Sequence, residues 1–480
     1  MKEYKIIFSD IDGTLLNNEN QVPEETIEEL RRLDSQGVPF VLVSARMPKG
    51  MRPIREELGI HAPMVCYSGG LVLDPDDQEI YSCLLDLDLA CEIKSLVAKE
   101  FPEVVCGIYG GEHWVVDDIR DPWVIQEQGI THLIPETGDI REIFGKEGGI
   151  HKFLFMGDEE AVIRTENRLK ERYPQLSIAR SKPVYLEVMN GNVCKSAGVK
   201  IVCEKYDIPL IVDNAHGAYQ AFLDEEKYGN IHPIKSGAAI CCDSAHKTLP
   251  VLTGGAYIHV SRKYKERFAP YVASYMTMFG STSPSYLIMQ SLDMCNRYID
   301  EKIRHELSEC IGRIEKTKKV LVENNVKLME TEPLKIVIDT AAAGMEGGKL
   351  AEELRKYKIE CEYADKYFVV LMITPQNDEK DFERLEKWAV KTKYKRVAKK
   401  KIEPKKLILH RAERVMSIRK AAFSPYRKIK VSDAGGSICA SQTIACPPAI
   451  PIAVCGERID QNMISIFEEY GIDYVNVVSY

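Results

Sequence analysis

The first 70 residues alternate short apolar runs with amphipathic segments. The apolar runs have the length of strands, and the segments between them repeat apolar residues at the spacing of one helix face. An alternation of strands and helices predicts a parallel, doubly wound α/β sheet. The segments are KIIFSD, PEETIEELRRLDSQG, PFVLVSA, MRPIREELGI and PMVCYSGG.

The alternation is interrupted once and later resumes. Residues of about 82–185 predict an inserted α+β module, and strand and helix patterns return from Ala197. A long helical region is predicted over about 283–325, and a smaller α+β domain follows EPLKIVID to the last residue. We therefore predict three domains, 1–196 with the insert at about 82–185, 197–330 and 331–480.

Composition and charge exclude several classes of function. The net charge of −8 and a pI near 5.8 argue against a general nucleic-acid binder. No apolar run reaches the roughly 18 residues of a membrane span, and the first residues show no signal-peptide pattern. The fourteen cysteines include no C-x-x-C pair, so we expect reduced thiols, a cytoplasmic protein and no zinc site. The basic run from Lys391 could be a phosphate-binding patch or a solvated helix face, and since the second is the more common case we assign it no function.

The segment FSDIDGTLL places two carboxylates where the first strand ends. Ligands of open α/β sheets bind outside the carboxyl ends of the strands. Asp10 could attack phosphorus, and Asp12 could transfer the proton of the leaving group. Gly13 permits a tight turn, and Thr14 offers a hydroxyl. An acidic turn without a function would explain a bare D-x-D, but not the full DIDGTLL motif.

Residues of about 1–200 resemble the haloacid-dehalogenase-like (HAD) phosphatases, specifically their Cof-type branch. VLVSAR is similar to the second motif, PMVCYSGGLVLD to the Asn-Gly-Gly segment with Ser68 for Asn, and VYLEVMNGNVCKSAGV to the third motif. The resemblance implies an α/β core with a cap, a phosphate monoester substrate and Mg²⁺. It implies that Asp10 is the nucleophile and Asp12 the acid/base, and that both are metal ligands. It further implies that the phosphate is contacted by Thr14, Ser44 and Lys195, with Arg46 close by.

One part of the HAD pattern is missing. The family has a GDxxND-like acidic loop one strand after the third motif, which supplies a further ligand for Mg²⁺. The GD pairs at Gly138 and Gly157 lie inside the predicted insert and do not occupy that place. Mg²⁺ commonly uses only one or two carboxylates, so the loss of one puts phosphatase activity in question.

A second group of chemically active residues lies further along the chain. PLIVDNAHGAY ends an apolar run in Asp213, and AICCDSAHKTLP brings Lys247 after a later run. An aspartate and a lysine at neighbouring strand ends suit pyridoxal phosphate (PLP), because the lysine forms a Schiff base and the aspartate keeps the pyridinium protonated. Ser244 and His246 could contact the phosphate, and Ala215, next to His216, is small enough for the ring face.

Residues of about 197–480 resemble the bacterial ornithine/lysine/arginine decarboxylases, which have the PLP fold type I. The motifs are DNAHGA, SAHKTLP, LTGGA, GSTSPSYLIMQSLD, AAFSPYRKI and ACPPAIPIAVCGERI. The resemblance implies PLP as cofactor, a basic amino acid as substrate and a homo-oligomer, since the STSPSY segment approaches a neighbouring subunit's cofactor. It implies a cofactor set of Asp213, Ala215, His216, Ser244, His246 and Lys247. The family's phosphate-binding loop, expected before Asp213, is replaced by the HAD-like part.

Three hypotheses follow. The chain is a PLP-dependent decarboxylase of a basic amino acid with Lys247 as the catalytic lysine, a HAD phosphatase, or a non-catalytic fusion in which neither site is complete. The fold class expected is α/β: a partial HAD core with a cap, a partial PLP fold type I large domain, and a smaller α+β domain. The two partial sheets could pair into one hybrid sheet. We expect weak or absent turnover in both reactions, small-molecule substrates, and neither nucleic acid nor membrane as a partner.

Overall fold

The computed structural model describes residues 6–17, 20–280, 283–392, 402, 412–441 and 451–479. The chain separates into two compact units, Met1–Ser244 with Ala256–Pro284, and Ala245–Gly255 with Ser285–Tyr480. A search of the described helices finds none that combines the length and the apolar character of a membrane span. The finer domain limits at 196 and 330 stay predictions.

The first unit begins with a five-stranded sheet in the order β1-β2-β3-β4-β5. Its first three strands are parallel, and the last two are antiparallel. Val41 and Val43 pack with Val202 on one face, while Leu42 packs on the other with Leu30 and other residues of the flanking helices. The elements are β1 (Ile7–Asp10), α1 (Glu24–Ser35), β2 (Phe40–Val43), α2 (Pro48–Leu58), β3 (Met64–Cys66), β4 (Leu71–Leu73) and β5 (Glu79–Ser82). The predicted alternation of strands and helices is confirmed.

The insert forms its own antiparallel sheet in the order β11-β12-β10-β7-β8, together with a short β6–β9 pair. Its core is aromatic and aliphatic, and Phe153, Phe155, Leu186 and Val188 are fully buried. The elements are β6 (Leu85–Asp86), α3 (Leu87–Glu100), β7 (Val105–Gly110), β8 (His113–Val116), α4 (Pro122–Thr131), α5 (Ile140–Phe144), β9 (Gly149–Ile150), β10 (Lys152–Met156), α6 (Glu159–Arg172), β11 (Ser177–Lys182) and β12 (Tyr185–Met189). We call this part the cap.

After the cap, helix α7 (Lys195–Lys205) returns to the first sheet and contacts β2, β3 and β4. The contact is close, because a Cβ on Gly198 would lie 2.3 Å from Val65 Cγ1. The next strand, β13 (Ile211–Asp213), does not join β1 but pairs in parallel with β14 (Ile240–Asp243). The described strands therefore form two separate sheets here and not a hybrid sheet.

The second sheet of this region has three strands in the order β13-β14-β15. Strand β15 (Tyr257–Val260) is antiparallel to β14, and its small core includes Ala239, Ile240 and Tyr264. The helices of the region are α8 (Glu225–Tyr228), α9 (Ala245–Thr248) and α10 (Lys265–Phe279). Helix α9 belongs to the second compact unit, although it directly follows β14 in the chain.

The second unit continues with two long helices, as the helical pattern over 283–325 predicts. A four-stranded sheet, β16-β17-β19-β18, and a β20–β21 pair follow. Arg313 joins α12 to α14 through ion pairs with Glu379 and Glu386, both at 2.6 Å. The elements are α11 (Tyr286–Glu301), α12 (Ile303–Glu323), β16 (Leu328–Met329), β17 (Lys335–Asp339), α13 (Gly347–Lys356), β18 (Tyr363–Ala364), β19 (Phe368–Met372), α14 (Glu379–Thr392), α15 (Ile418–Ala422), β20 (Tyr426–Lys430), α16 (Gln461–Glu469) and β21 (Tyr474–Val478).

Three of the sequence motifs lie partly outside the described residues. They are the basic run from Lys391, the start of ACPPAIPIAVCGERI, and positions 281–282 of the STSPSY segment.

Candidate functional site

Asp10 and Lys195 meet at the carboxyl end of β1, although 185 residues separate them in the chain. Lys195 Nζ donates to Asp10 Oδ2 at 2.6 Å, and the backbone N–H of Ile11 donates to Asp10 Oδ1 at 2.9 Å. Both side chains stay partly accessible, with 37% of Asp10 and 43% of Lys195 exposed. A carboxylate in this position is oriented by two donors and still open to a substrate.

Asp12 and Arg46 form a second ion pair in the turn that follows β1. Arg46 donates through two nitrogens, at 2.7 Å to Asp12 Oδ1 and at 3.0 Å to Oδ2. Gly13 has a φ of +73°, the left-handed region that glycine adopts easily, so the chain turns directly after Asp12. The turn places Thr14 on the surface. The site thus contains two carboxylates, and each of them is paired with one cation.

Ser44 follows β2 and forms hydrogen bonds with backbone groups near Asp10 and Asp12. Its side chain is buried, and its Oγ accepts the N–H of Arg46 at 3.2 Å. Its own N–H donates to the Val65 carbonyl, and its carbonyl accepts the N–H of Ser68. Ser44 therefore connects the loops after β2 and β3, and its hydroxyl proton is still available for a hydrogen bond to another acceptor.

The loop after β3 lies directly against the start of α7. Tyr67, Ser68 and Gly69 have φ values of +49°, +54° and +98°. A Cβ on Gly69 would lie 2.3 Å from the carbonyl oxygen of Cys194, so only glycine fits this contact. Because Lys195 follows Cys194, this contact fixes the backbone from which Lys195 reaches Asp10.

Cap residues contact the core beside the site. The Tyr67 hydroxyl donates to the Gly111 carbonyl at 2.9 Å, and the Tyr67 ring stacks on His151 with centroids 4.7 Å apart. Gly111 N–H donates to His151 Nδ1 at 3.1 Å, so the proton of a neutral ring is on Nε2, which faces Ser82 Oγ at 3.2 Å. Burial lowers the pKa of His151 to about 4. The imidazole is therefore neutral near pH 7.

A buried cap lysine adds a further contact. Lys152 Nζ donates to the Ala45 carbonyl at 3.1 Å and lies 3.7 Å from Glu187. Sequence reasoning missed Tyr67, His151 and Lys152 as residues near the site. Their patterns, VCYSGG and GIHKFLF, carry no signal that distinguishes them from ordinary strand residues.

The predicted PLP residues divide between the two compact units. In the first unit, Asp213 ends β13, is exposed, and accepts the N–H of Ala215 through Oδ1 at 3.2 Å. Ala215, His216 and Ser244 are half-buried in the same unit.

In the second unit, His246 and Lys247 lie on α9, and the Nδ1–H of His246 donates to the Gly255 carbonyl at 2.9 Å. Both line a cavity of about 290 Å³ together with Ser291, Thr374 and Gln376. The predicted cofactor residues thus fall into two subsets, one in each unit, and their common role stays a prediction.

The residues of the two regions can be compared with the ligands that Mg²⁺ and PLP require. Asp10 and Asp12 offer two partly exposed carboxylates, the number that a protein commonly contributes to Mg²⁺. Neither belongs to a cluster of three possible metal ligands among the described residues. For PLP, the accessible carboxylate of Asp213 and the amine of Lys247 are of the types that hold its ring nitrogen and its aldehyde.

Comparisons with known proteins match the two parts of the chain to two different families. The family model of the haloacid dehalogenase-like hydrolases matches residues 7–211, and that of the Orn/Lys/Arg decarboxylase major domain matches residues 164–349. The two matches overlap over 164–211, which includes the cap's last strands, α7 and the start of β13.

Relatives are found for both regions. A Haemophilus influenzae protein named "Putative phosphatase" is 32% identical over 205 residues, covering 43% of this chain and 76% of the relative. An arginine decarboxylase of Bacillus subtilis is 26% identical over 297 residues, covering 56% of this chain and 58% of the relative. The uncharacterised Bacillus subtilis protein YaaO is 32% identical, and the match covers 62% of its length. The chain thus spans about three fifths of these two relatives.

Among solved structures, a haloacid dehalogenase-like hydrolase from Bacteroides thetaiotaomicron aligns with a TM-score of 0.40 and 23% identity, covering 44% of this chain and 82% of that one. HAD-like hydrolases typically use Mg²⁺, and Orn/Lys/Arg decarboxylases use PLP. The elements are mixed α/β, and the family matches assign a HAD-type region followed by a decarboxylase-like region. Through its N-terminal region the chain belongs to the haloacid dehalogenase-like hydrolase family, fused to a region of the Orn/Lys/Arg decarboxylase type.

Proposed function

We propose that the first unit hydrolyses a phosphate monoester in a Mg²⁺-dependent reaction. The observation that carries the proposal is the 2.6 Å contact between Lys195 Nζ and Asp10 Oδ2, which joins the first and third motifs at one strand end. The match of residues 7–211 to the hydrolase family supports the same reaction class.

In the proposed reaction, Asp10 attacks phosphorus and forms an acyl phosphate while the bond from phosphorus to the ester oxygen breaks. Asp12 gives its proton to the leaving oxygen, then takes one from the water that hydrolyses the acyl phosphate. Both Asp12 oxygens accept from Arg46 in the structure, so the acid/base step requires that one of these two hydrogen bonds is given up. Lys195 balances the negative charge that the phosphoryl group brings to Asp10. Asp10 and Asp12 would hold Mg²⁺, which neutralises phosphate charge when bound.

We expect the turnover to be low. The family's second acidic loop follows the strand after the third motif, and in this chain that strand, β13, lies in a different sheet from Asp10. Its carboxylate, Asp213, pairs in register with Cys242 of β14. This topology supports the expectation that the phosphatase site has one metal ligand fewer than is usual in the family.

The test is hydrolysis of an aryl phosphate with Mg²⁺ by the full chain and by Asp10→Asn. Asp158→Asn is the matched control, because Asp158 caps α6 in the cap without a side-chain hydrogen bond to that helix. We expect Mg²⁺-dependent turnover in the wild type and the control, and none in Asp10→Asn. Equal turnover in Asp10→Asn and wild type would exclude Asp10 as the nucleophile.

PLP-dependent decarboxylation of an ornithine-, lysine- or arginine-type amino acid is the second candidate. Its support is the family match over 164–349, which contains Asp213 and Lys247 in the expected order. When bound, PLP supplies the electron sink for loss of the carboxylate. In this proposal Lys247 holds its aldehyde, Asp213 its ring nitrogen, Ser244 and His246 its phosphate, and Ala215 and His216 flank the ring.

The phosphate-binding segment of that family precedes the aspartate strand, and the HAD-type core and cap occupy this part of the chain. We therefore expect weak PLP binding. The measurements are a visible absorption band after incubation with PLP and the PLP that stays covalently attached after borohydride reduction. Both should be present in wild type and Lys200→Ala and absent in Lys247→Ala. A wild type without any band would refute this candidate and leave the phosphatase, or a non-catalytic fusion, as the remaining hypotheses. A sequencing read across codons 180–220 of the source DNA tests whether the fusion is a genuine gene.

A homo-oligomer is also proposed, and exposed apolar side chains support it. Helix α10 exposes Met278 and Phe279 by 66% and 82%, and helix α11 exposes Tyr286 and Leu287 by 82% and 68%. Apolar surface of this kind commonly marks a protein interface. Light scattering after size exclusion should give at least twice the chain mass of 54.4 kDa.

A further inference from the structure

Two histidine side chains of the first unit converge on one carboxylate oxygen of Asp243, in the sheet β13-β14-β15. His232 Nε2 lies 3.1 Å and His259 Nε2 3.0 Å from Asp243 Oδ2. All three candidate ligand atoms lie within 4.8 Å of one another. The two imidazole rings meet edge to face, with centroids 5.8 Å apart.

The local fold explains why these residues meet. Asp243 ends β14, and antiparallel β15 places Cys241 opposite His259 and Asp243 opposite Tyr257. Alternate residues of a strand share one face, so His259 lies diagonally across from Asp243 on the same face of the sheet. His232 comes from the loop before β14 and is buried beside Asp243.

The other carboxylate oxygen of Asp243 has its own partners. Asn214 Nδ2 donates to Oδ1 at 2.8 Å, and Cys241 Sγ lies 3.4 Å from the same atom. These contacts hold Oδ1, and the orientation of the carboxylate leaves Oδ2 to the two histidines. Carboxylates that bind metals are typically oriented by such outer hydrogen bonds.

We propose that His232, Asp243 and His259 form a binding site for a divalent transition-metal ion of the Zn²⁺ type. Two imidazoles and one carboxylate are a common donor set for Zn²⁺, and three protein ligands leave a fourth position for water. Ligands at about 2.0–2.1 Å in a tetrahedral site lie roughly 3.3 Å apart, close to the 3.0 and 3.1 Å separations here. The side chain of His259 is 40% exposed, which provides a route for the ion.

A metal-free hydrogen-bond network is the alternative explanation of the same geometry. In that network each Nε2 carries a proton and donates to Oδ2, and the buried carboxylate is satisfied without an ion. In the metal site each Nε2 lone pair binds the ion, and the ring proton is on Nδ1. Metal binding would link the loop of His232 to a sheet with three described strands and a small core, and would stabilise that sheet.

The experiment uses the full chain, freed of metal by a chelator and then titrated with Zn²⁺ and, separately, with Co²⁺. We compare wild type, His259→Ala and the control His305→Ala, because His305 is an exposed residue of α12 that lies outside the cluster. We expect one tight equivalent of Zn²⁺ and a raised thermal midpoint in wild type and control. In His259→Ala the affinity should fall by about tenfold or more, because one of three protein ligands is lost.

Cobalt separates this site from the cysteines. A His–Asp–His site should give visible d–d absorption without a thiolate-to-cobalt charge-transfer band, and the absorption should be lost in His259→Ala. His232→Gln, checked for folding by circular dichroism, provides a second variant. The proposal is overturned if the wild type binds no stoichiometric Zn²⁺, or if His259→Ala and His232→Gln bind Zn²⁺ as tightly as the wild type does.

Discussion

The close contact between Gly69 and the start of α7 predicts that a single added methyl group at Gly69 lowers the stability of the protein. In Gly69→Ala the new Cβ would lie 2.3 Å from the Cys194 carbonyl oxygen and 3.1 Å from Gly198 N. Both neighbours are backbone atoms, so no side-chain rotation relieves the clash. The loop and α7 must separate by about 0.7 Å to restore an allowed distance.

Two costs contribute to the expected loss of stability. A non-glycine residue at positive φ costs about 1–2 kcal/mol, and overpacking a filled site costs about 1–3 kcal/mol more. Gly37 separates the two costs, because its φ of +71° is also left-handed and a Cβ added there would meet nothing within 4 Å. Gly37→Ala should therefore show the first cost alone.

The assay compares thermal midpoints of wild type, Gly37→Ala and Gly69→Ala. With about 2–4 °C per kcal/mol for a domain of this size, Gly69→Ala should unfold about 2–12 °C below Gly37→Ala. Lys195 follows Cys194 directly, so Gly69→Ala should also lower any aryl phosphatase activity, whereas Gly37→Ala should not. Equal midpoints for the two variants would show that the close contact between the loop and α7 is wrong.

Three further predictions concern the site and the cap. Tyr67→Phe removes the donor to the Gly111 carbonyl and should lower the free energy of unfolding in urea by about 1–2 kcal/mol; an unchanged value would contradict this cap contact. The pKa of His151 falls from 6.5 to about 4 on folding. As the pH is lowered, the unfolded chain therefore binds the proton before the folded chain does. The free energy of unfolding thus has its full value above pH 6.5 and decreases as the pH falls toward 4. Between pH 7 and pH 5 the wild type should lose about 2 kcal/mol more than His151→Asn, and parallel pH profiles of the two would refute the buried neutral imidazole. Lys195→Met should change stability by less than about 1 kcal/mol, because both partners of the Asp10 pair are more than one third exposed, yet it should lower phosphatase turnover about 100-fold or more; an equally active variant would remove Lys195 from the site.

Local sequence patterns were sufficient to predict the elements around Asp10 and their order. The apolar runs and glycine positions are short-range signals, and the order of motifs linked Asp10 to Lys195 across 185 residues. Periodicity carries no information about which sheet edge a strand joins. For that reason the sequence was compatible with a hybrid sheet, whereas β13 pairs with β14 and not with β1.

Besides the pairing of β13, the sequence did not reveal contacts between polar residues that are distant in the chain. His232, Asp243 and His259 have no recognisable ligand spacing, and only the strand register of β14 and β15 brings two of them together. The expectation of no zinc site rested on the cysteine spacing, and the Zn²⁺ titration tests it. Tyr67 and His151 likewise meet only because the cap folds back onto the core.

The position of strand β1 in its sheet has a consequence for the stability of the contact between Asp10 and Lys195. Within the described chain it is the outermost strand of its sheet, with β2 as its neighbour, and its four residues are half-buried where those of β2 are fully buried. An edge strand can detach in a local opening that leaves the rest of the sheet intact. The amides of β1 should therefore exchange with solvent deuterium faster than those of β2, and each such opening separates Asp10 from Lys195 while Ser44 keeps its backbone contacts.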